Sequence, residues 1–197
     1  MEKQNKKQVM FAFIDATNII YGAGGSGWKV DFKKLMTYLK SRYQVLKVLY
    51  YAGVDSNNQK QLNFYKKLES FGYKLRLVPV KTFKDGKKKA DVDSRMTFEI
   101  MLLLNQYNNA IFMTGDGDFY WVFEYLIQTK MSVKLIANSR STARELKQLF
   151  KQHFTDLQLL RHLIAKKNEV DAFVESTSRD CDKSISKVKN FVKEKNV

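Results

Sequence analysis

VMFAFID (residues 9–15) decides how this chain is read. Six apolar residues run without a polar break and end on Asp15. Such a run has the look of a strand buried on both faces, which occurs in parallel sheets covered by helices. A second run, AIFMT (110–114), leads straight into Gly115-Asp116-Gly117-Asp118. Working outward, residues 31–43 set Phe32, Leu35, Met36 and Leu39 on one helical face, with Asp31 as cap. Residues 45–54 read as a strand, 58–71 as a helix stopped by Gly72, and 74–80 as a shorter strand. Pro79, the only proline, marks that strand as an edge or its end. A Met- and Leu-rich helix over 92–105, a helix over 118–130, a strand over 132–137 and a helix over 141–150 complete the pattern. The alternation predicts a three-layer α/β fold: an open parallel sheet of about five strands with helices on both faces.

Composition narrows the class. The chain has 197 residues, enough for one domain of roughly 150 residues and an appendage. One cysteine, Cys181, excludes an intramolecular disulfide framework and a cysteine-rich zinc ribbon. No apolar run approaches the roughly 18 residues of a membrane span, and the N-terminus does not read as a signal peptide. The expectation is a cytoplasmic protein without a membrane partner. The domain boundary is expected near residue 164, with 165–197 a polar linker followed by a tail. In that tail Ile185, Val188, Phe191 and Val192 recur at helical spacing. They suit an amphipathic helix that docks on the domain or on a second copy, as in a homodimer, or a disordered terminus.

With 35 Lys and Arg against 20 Asp and Glu, the net charge is +15. Residues 166–197 carry only +2 of this, so the excess lies in the folded part. A basic surface of that size points to nucleic acid, held through release of phosphate counterions.

Against that background the acids stand out. In a doubly wound sheet, ligands sit beyond the carboxyl ends of the strands, at the switch point. Asp15 ends one buried strand and Asp116 and Asp118 follow another. If those strands are neighbours, the three converge at one rim. Asp91 and Asp93 open the Met/Leu helix; Asp91 reads as its cap and Asp93 as the residue facing the rim, although the two could be exchanged. Carboxylates gathered so closely repel one another. Oxygen-only ligation of that kind suits Mg²⁺ or Mn²⁺. An acidic cradle inside a cationic surface fits phosphodiester hydrolysis. Taken singly, each aspartate also makes an ordinary turn or cap residue. The lysines Lys81, Lys84, Lys87, Lys88 and Lys89 precede Asp91 and read as a solvated loop or a guide for a nucleic-acid backbone. Tyr21, Trp28 and Phe119-Tyr120-Trp121 are candidates to stack on bases, Trp28 foremost because it follows a glycine-rich loop.

Four stretches carry a resemblance to the NYN domain family of PIN-like nucleases, which includes LabA-like proteins. Phe13-Ile14-Asp15-Ala16-Thr17-Asn18 resembles its strand-end IDxxN. Lys88-Lys89-Ala90-Asp91-Val92-Asp93 resembles its helix entry KxxVD, and Met113-Thr114-Gly115-Asp116-Gly117-Asp118-Phe119 resembles SGDGDF. The stretch SRSTARELKQLFKQHFTDL, ending at Leu157, resembles the family's closing segment, with Gln152-His153-Phe154 where an acid is usual. The resemblance spans roughly residues 9–160 and implies a PIN-like fold and a metal-dependent ribonuclease using Mg²⁺ or Mn²⁺. Carried over, Asp15, Asp93, Asp116 and Asp118 are the metal-site acids. Asn18 supports Asp15 or touches the phosphate, Thr114 contacts metal or phosphate, and Glu99 is a second helix acid if Asp93 is the matching residue. A non-catalytic RNA-binding module and a DNA (flap) nuclease are the competing readings.

Gly22-Ala23-Gly24-Gly25-Ser26-Gly27 formally matches a dinucleotide fingerprint, but it does not join a strand directly to a helix. It reads instead as a flexible flap beside the site.

Overall fold

A computed structural model of the protein describes residues 8–82 and 88–167. Strand β1 (Met10–Asp15) is followed by α1 (Ala16–Gly24), α2 (Phe32–Tyr43), β2 (Lys47–Val54), α3 (Gln59–Ser70) and β3 (Lys74–Pro79). A two-residue antiparallel pair, β4 (Lys81–Thr82) and β5 (Lys88–Lys89), precedes α4 (Val92–Leu102). Then come β6 (Asn109–Met113), α5 (Tyr120–Gln128), β7 (Ser132–Ala137), α6 (Arg144–Phe150), β8 (Phe154–Asp156) and α7 (Arg161–Ile164). Six strands form one parallel sheet in the order β3-β2-β1-β6-β7-β8. The chain builds β1, β2 and β3 outward to one edge, then returns to the centre and builds β6, β7 and β8 toward the other. The switch point therefore lies between β1 and β6, which meets the condition under which Asp15, Asp116 and Asp118 share one rim.

Side-chain alternation along the central strands divides the core in two. Ala12, Ile14, Tyr50, Ile111 and Met113 face α1, α2 and α3, and Leu157, Leu160 and Ile164 close that layer. Phe11, Phe13, Leu49, Tyr51, Phe112 and Leu135 face α4, α5 and α6. On this second face Phe112 packs between Phe13 and Phe123, with ring centroids 5.4 Å and 4.4 Å away.

The structure adds elements the sequence reading lacks. A sixth strand, β8, is three residues long, too short to show a period. Helix α1 takes in residues 22–24, the first half of the stretch expected to be a flap, and residues 25–27 form the turn that follows; the expectation is corrected for the helical half. Gly22 lies inside α1, where a β-carbon would stand 3.1 Å from Asn138 Cβ. The glycine there serves close packing rather than motion. The end of the described chain returns to α2: Asp31 N donates to Ile164 O at 2.8 Å, and Lys34 Nζ donates to Ala165 O at 2.8 Å. The chain divides into two compact units, Met1–Ala165 and Lys166–Val197. The helix expected within 183–195 lies outside the described residues. Among the described residues no helix is long and apolar enough to cross a membrane.

Candidate active site at the switch point

Asp15 is the last residue of β1 and the cap of α1, because a side-chain oxygen at that junction satisfies a free helical N–H. Asn18 N donates to Asp15 Oδ1 at 3.2 Å. Asn18 Nδ2 and Thr114 Oγ1 donate to Asp15 Oδ2, at 3.2 and 3.1 Å. Asn18 reaches across the switch point as well: its Oδ1 accepts from Gly115 N at 2.8 Å. The turn after β6 continues the network. Asp116 N donates to Thr114 Oγ1 at 3.2 Å, and Asp118 N donates to Asp116 Oδ1 at 3.0 Å. Asp116 thus caps the 3₁₀ turn Gly117–Phe119 that leads into α5.

The glycines of this turn are required by space. A β-carbon on Gly115 would stand 2.8 Å from Thr142 Oγ1 and 3.0 Å from Thr142 Cα. The loop after β7 presses on the turn at that point, with Asn138 holding Gly22 O and Ser26 Oγ through its Nδ2.

Helix α4 supplies the remaining acid. Asp91 caps it, accepting from Ser94 N at 3.4 Å, and Asp93 in the first turn is half-buried. Burial raises the Asp93 carboxyl to about 6, and the charges of Asp15, Asp116, Asp118 and Asp91 add to the rise. Burial also pushes Asp15 up, partly offset by the hydrogen bonds from Asn18 and Thr114. The fold therefore brings Asp15, Asp116 and Asp118 within electrostatic reach of Asp93. Within the described residues none of the four is ion-paired.

A raised group gives a stability test. Between its ordinary value of 3.8 and about 6, the folded state holds the Asp93 proton more tightly than the unfolded chain does. Its contribution to stability is full below the lower value and lost as pH rises through the upper one. Asp93→Asn is therefore expected to exceed the parent in stability at neutral pH in EDTA, with the gain shrinking toward about pH 4. Urea denaturation across that range checks it. A constant difference at every pH would mean that the charge cluster does not act on Asp93.

Two expectations are corrected. Glu99 is not part of the acid cluster: it is buried on α4 and accepts from Arg76 Nε, from Arg95 and from Tyr51 Oη. A carboxylate removed from water needs such partners, and these guanidinium groups neutralise it. Arg76→Ala would leave Glu99 short of one of them. The expected loss is about 1–3 kcal/mol in a urea melt. Trp28, the leading stacking candidate, is 4% exposed and donates its Nε1 to Gln158 Oε1 at 3.1 Å. It packs in the core and offers no open face. Lys84 and Lys87 lie outside the described residues, while Lys88 and Lys89 form β5, which ends two residues before Asp91.

Sequence reasoning missed the rim formed after β7 and β8. Ser139 N donates to Asp156 Oδ1, and Ser139 Oγ to Asp156 Oδ2. Asn138 and Asp156 each follow or end a strand, so the rule that singled out Asp15 would have found them.

As they stand, no group of three or more His, Cys, Asp or Glu among the described residues is arranged to hold a metal ion. The donor chemistry of the described acids nevertheless suits a hard divalent cation: oxygen atoms only, several of them acidic.

The sequence pattern of the NYN domain matches residues 10–160. Low amplitude and bright protein LabA of Synechococcus elongatus is 26% identical over 170 residues, which cover 82% of this chain and 90% of that protein. The crystal structure of a Vibrio parahaemolyticus protein of unknown function superposes with a TM-score of 0.68 at 23% identity, covering 79% of this chain and 96% of that one. That likeness shows a shared fold.

Proposed function

Since the chain belongs to the NYN domain family, we propose that it is a metal-dependent ribonuclease hydrolysing RNA phosphodiester bonds at the switch point. One observation carries the proposal. Four carboxylates from β1, α4 and the turn after β6 are held close enough for Asp93 to feel the charge of the other three, with no ion pair to them among the described residues. A fold tolerates such repulsion where a function needs it. Asp15, Asp93, Asp116 and Asp118 would hold Mg²⁺ or Mn²⁺, which when bound supplies Lewis acidity and offsets phosphate charge. Asn18 fixes the Asp15 carboxylate and ties it to Gly115, so the two central strand ends keep their spacing. The Thr114 hydroxyl donates to Asp15 while accepting from Asp116 N, linking the two acids through one atom. The net +15 of the chain draws the anionic strand to this acidic site by long-range attraction.

A second reading, an RNA-binding module that does not cut, is favoured by the absence of a ready ligand group among the described residues. End-labelled single-stranded RNA and the matching DNA, incubated with Mn²⁺, Mg²⁺ or EDTA, decide between them. RNA products that need the metal support the proposal. Cleavage of DNA alone moves the substrate. Salt-sensitive RNA binding with no product under any metal favours the second reading.

A further inference from the structure

A cleft of about 610 Å³ opens between α5 and α6, beside the turn that carries Asp116 and Asp118. Gly117, Tyr120, Trp121, Glu145, Gln148 and Lys151 line it. The acid site makes no use of it. Trp121 is 75% exposed. Its ring meets that of Tyr120 edge-on, with centroids 5.3 Å apart and planes at 87°. The Tyr120 hydroxyl donates to Glu124 Oε1 at 3.0 Å, which holds this aromatic corner in place. Opposite, Glu145 presses on the site turn: a β-carbon on Gly117 would stand 2.6 Å from its Oε1. Among the described residues Glu145 forms no ion pair. Gln148, one turn further along α6, brings a donor and an acceptor, and Lys151 brings a positive charge at the helix end.

We propose that this cleft binds one unpaired nucleobase of the RNA strand, stacked on Trp121, and prefers guanine. The inference rests on the proposed function only in placing the strand across the neighbouring carboxylates. The volume falls within the roughly 300–1,000 Å³ of small-ligand sites and has room for a base with its ribose. Every base offers a stacking face, so the ring supplies grip without selection. Selection comes from Glu145. A carboxylate only accepts hydrogen bonds when ionised, so it favours an edge with adjacent donors. Guanine presents two, N1–H and N2–H. Uracil presents a single N–H flanked by carbonyl oxygens, and adenine and cytosine set an acceptor beside their amino group. Gln148 adapts to the remaining edge, and Lys151 faces the backbone phosphate.

The test uses the full chain in EDTA, so that binding is read without cleavage. The probes are an all-uridine octamer and the same octamer with one central guanosine, adenosine or cytidine. Affinity is measured by anisotropy and by quenching of tryptophan fluorescence, for which buried Trp28 gives a constant background. The parent is expected to bind the guanosine octamer at least about fivefold more tightly than the other three. Trp121→Ala should weaken every octamer by roughly tenfold or more, and Trp121→Phe should restore most of the loss. Glu145→Gln should bring the guanosine octamer down to the affinity of the uridine one. Unchanged binding by Trp121→Ala, with circular dichroism equal to the parent's, would overturn the cleft as a base site. Equal parent affinity for all four octamers would overturn the preference for guanine. Because no metal is present, failure of RNA cleavage elsewhere would count against the nuclease reading and leave this result standing.

Discussion

Asp116→Asn is expected to lower metal-dependent RNA cleavage by about 10²–10³-fold, the scale of removing one electrostatic stabiliser from an active site. The same substitution should leave the fold intact. Asp116 Oδ1 accepts from Asp118 N at 3.0 Å, and an asparagine oxygen accepts equally well at a cap. What the variant loses is charge. It removes one of the carboxylates that act on Asp93, so the remaining acids should also repel one another less. Stability in EDTA should therefore be equal to or above the parent's while cleavage falls. Product formation from labelled RNA and a thermal melt on the same preparation check the two halves. Parent-level cleavage by Asp116→Asn would remove this residue from the chemistry. A melt well below the parent's would assign it a structural role instead.

Phe123→Ala is expected to cost about 3–5 kcal/mol, a large share of the total stability of about 5–15 kcal/mol for a domain of this size. Phe123 is fully buried on α5. Its ring packs against Phe112 at 4.4 Å, Phe119 at 5.7 Å and Phe150 at 5.4 Å, so β6, the site turn, α5 and α6 share it. Neighbours drawn from three other elements cannot collapse together into the space the lost ring leaves. The cost should appear as a lower urea midpoint with an unchanged slope. Cleavage at low temperature should suffer too, since Phe119 sits next to Asp118 and loses its stacking partner. A loss under about 1 kcal/mol would show that the site turn is held by its hydrogen bonds rather than by this aromatic layer.

What could be read in advance was local. The runs ending at Asp15 and before Gly115 are continuous and apolar, and their burial in a parallel sheet follows from that composition alone. That Asp91 and Asp93 open α4 follows from the sequence, with their roles exchangeable; the structure makes Asp91 the cap and leaves Asp93 in the first turn. What could not be read was decided at a distance. Glu99 sits one helical turn from Arg95, but its burial depends on Arg76, which reaches it from β3. Trp28 follows a run of glycines, yet Gln158, 130 residues away, gives it a partner and a place in the core. The end of helix α1 was hidden because Gly22 carries the helix against Asn138 of the loop after β7 rather than breaking it. Strand β8 left no trace because three residues are fewer than any period can show.

The two ends of the sheet bear on how copies of this chain can meet. A bare edge strand is a template for another chain, and natural proteins blunt it with charge, proline or brevity. Here β8 offers only the three residues Phe154–Asp156. At the far side β3 begins with an exposed lysine and ends in Pro79, which has no N–H to give. Among the described residues both borders are blunted as templates for strand-by-strand continuation. Assembly is thereby steered to the helical flanks, and the chain is shielded from the sheet-to-sheet growth that turns partly unfolded α/β proteins into fibres.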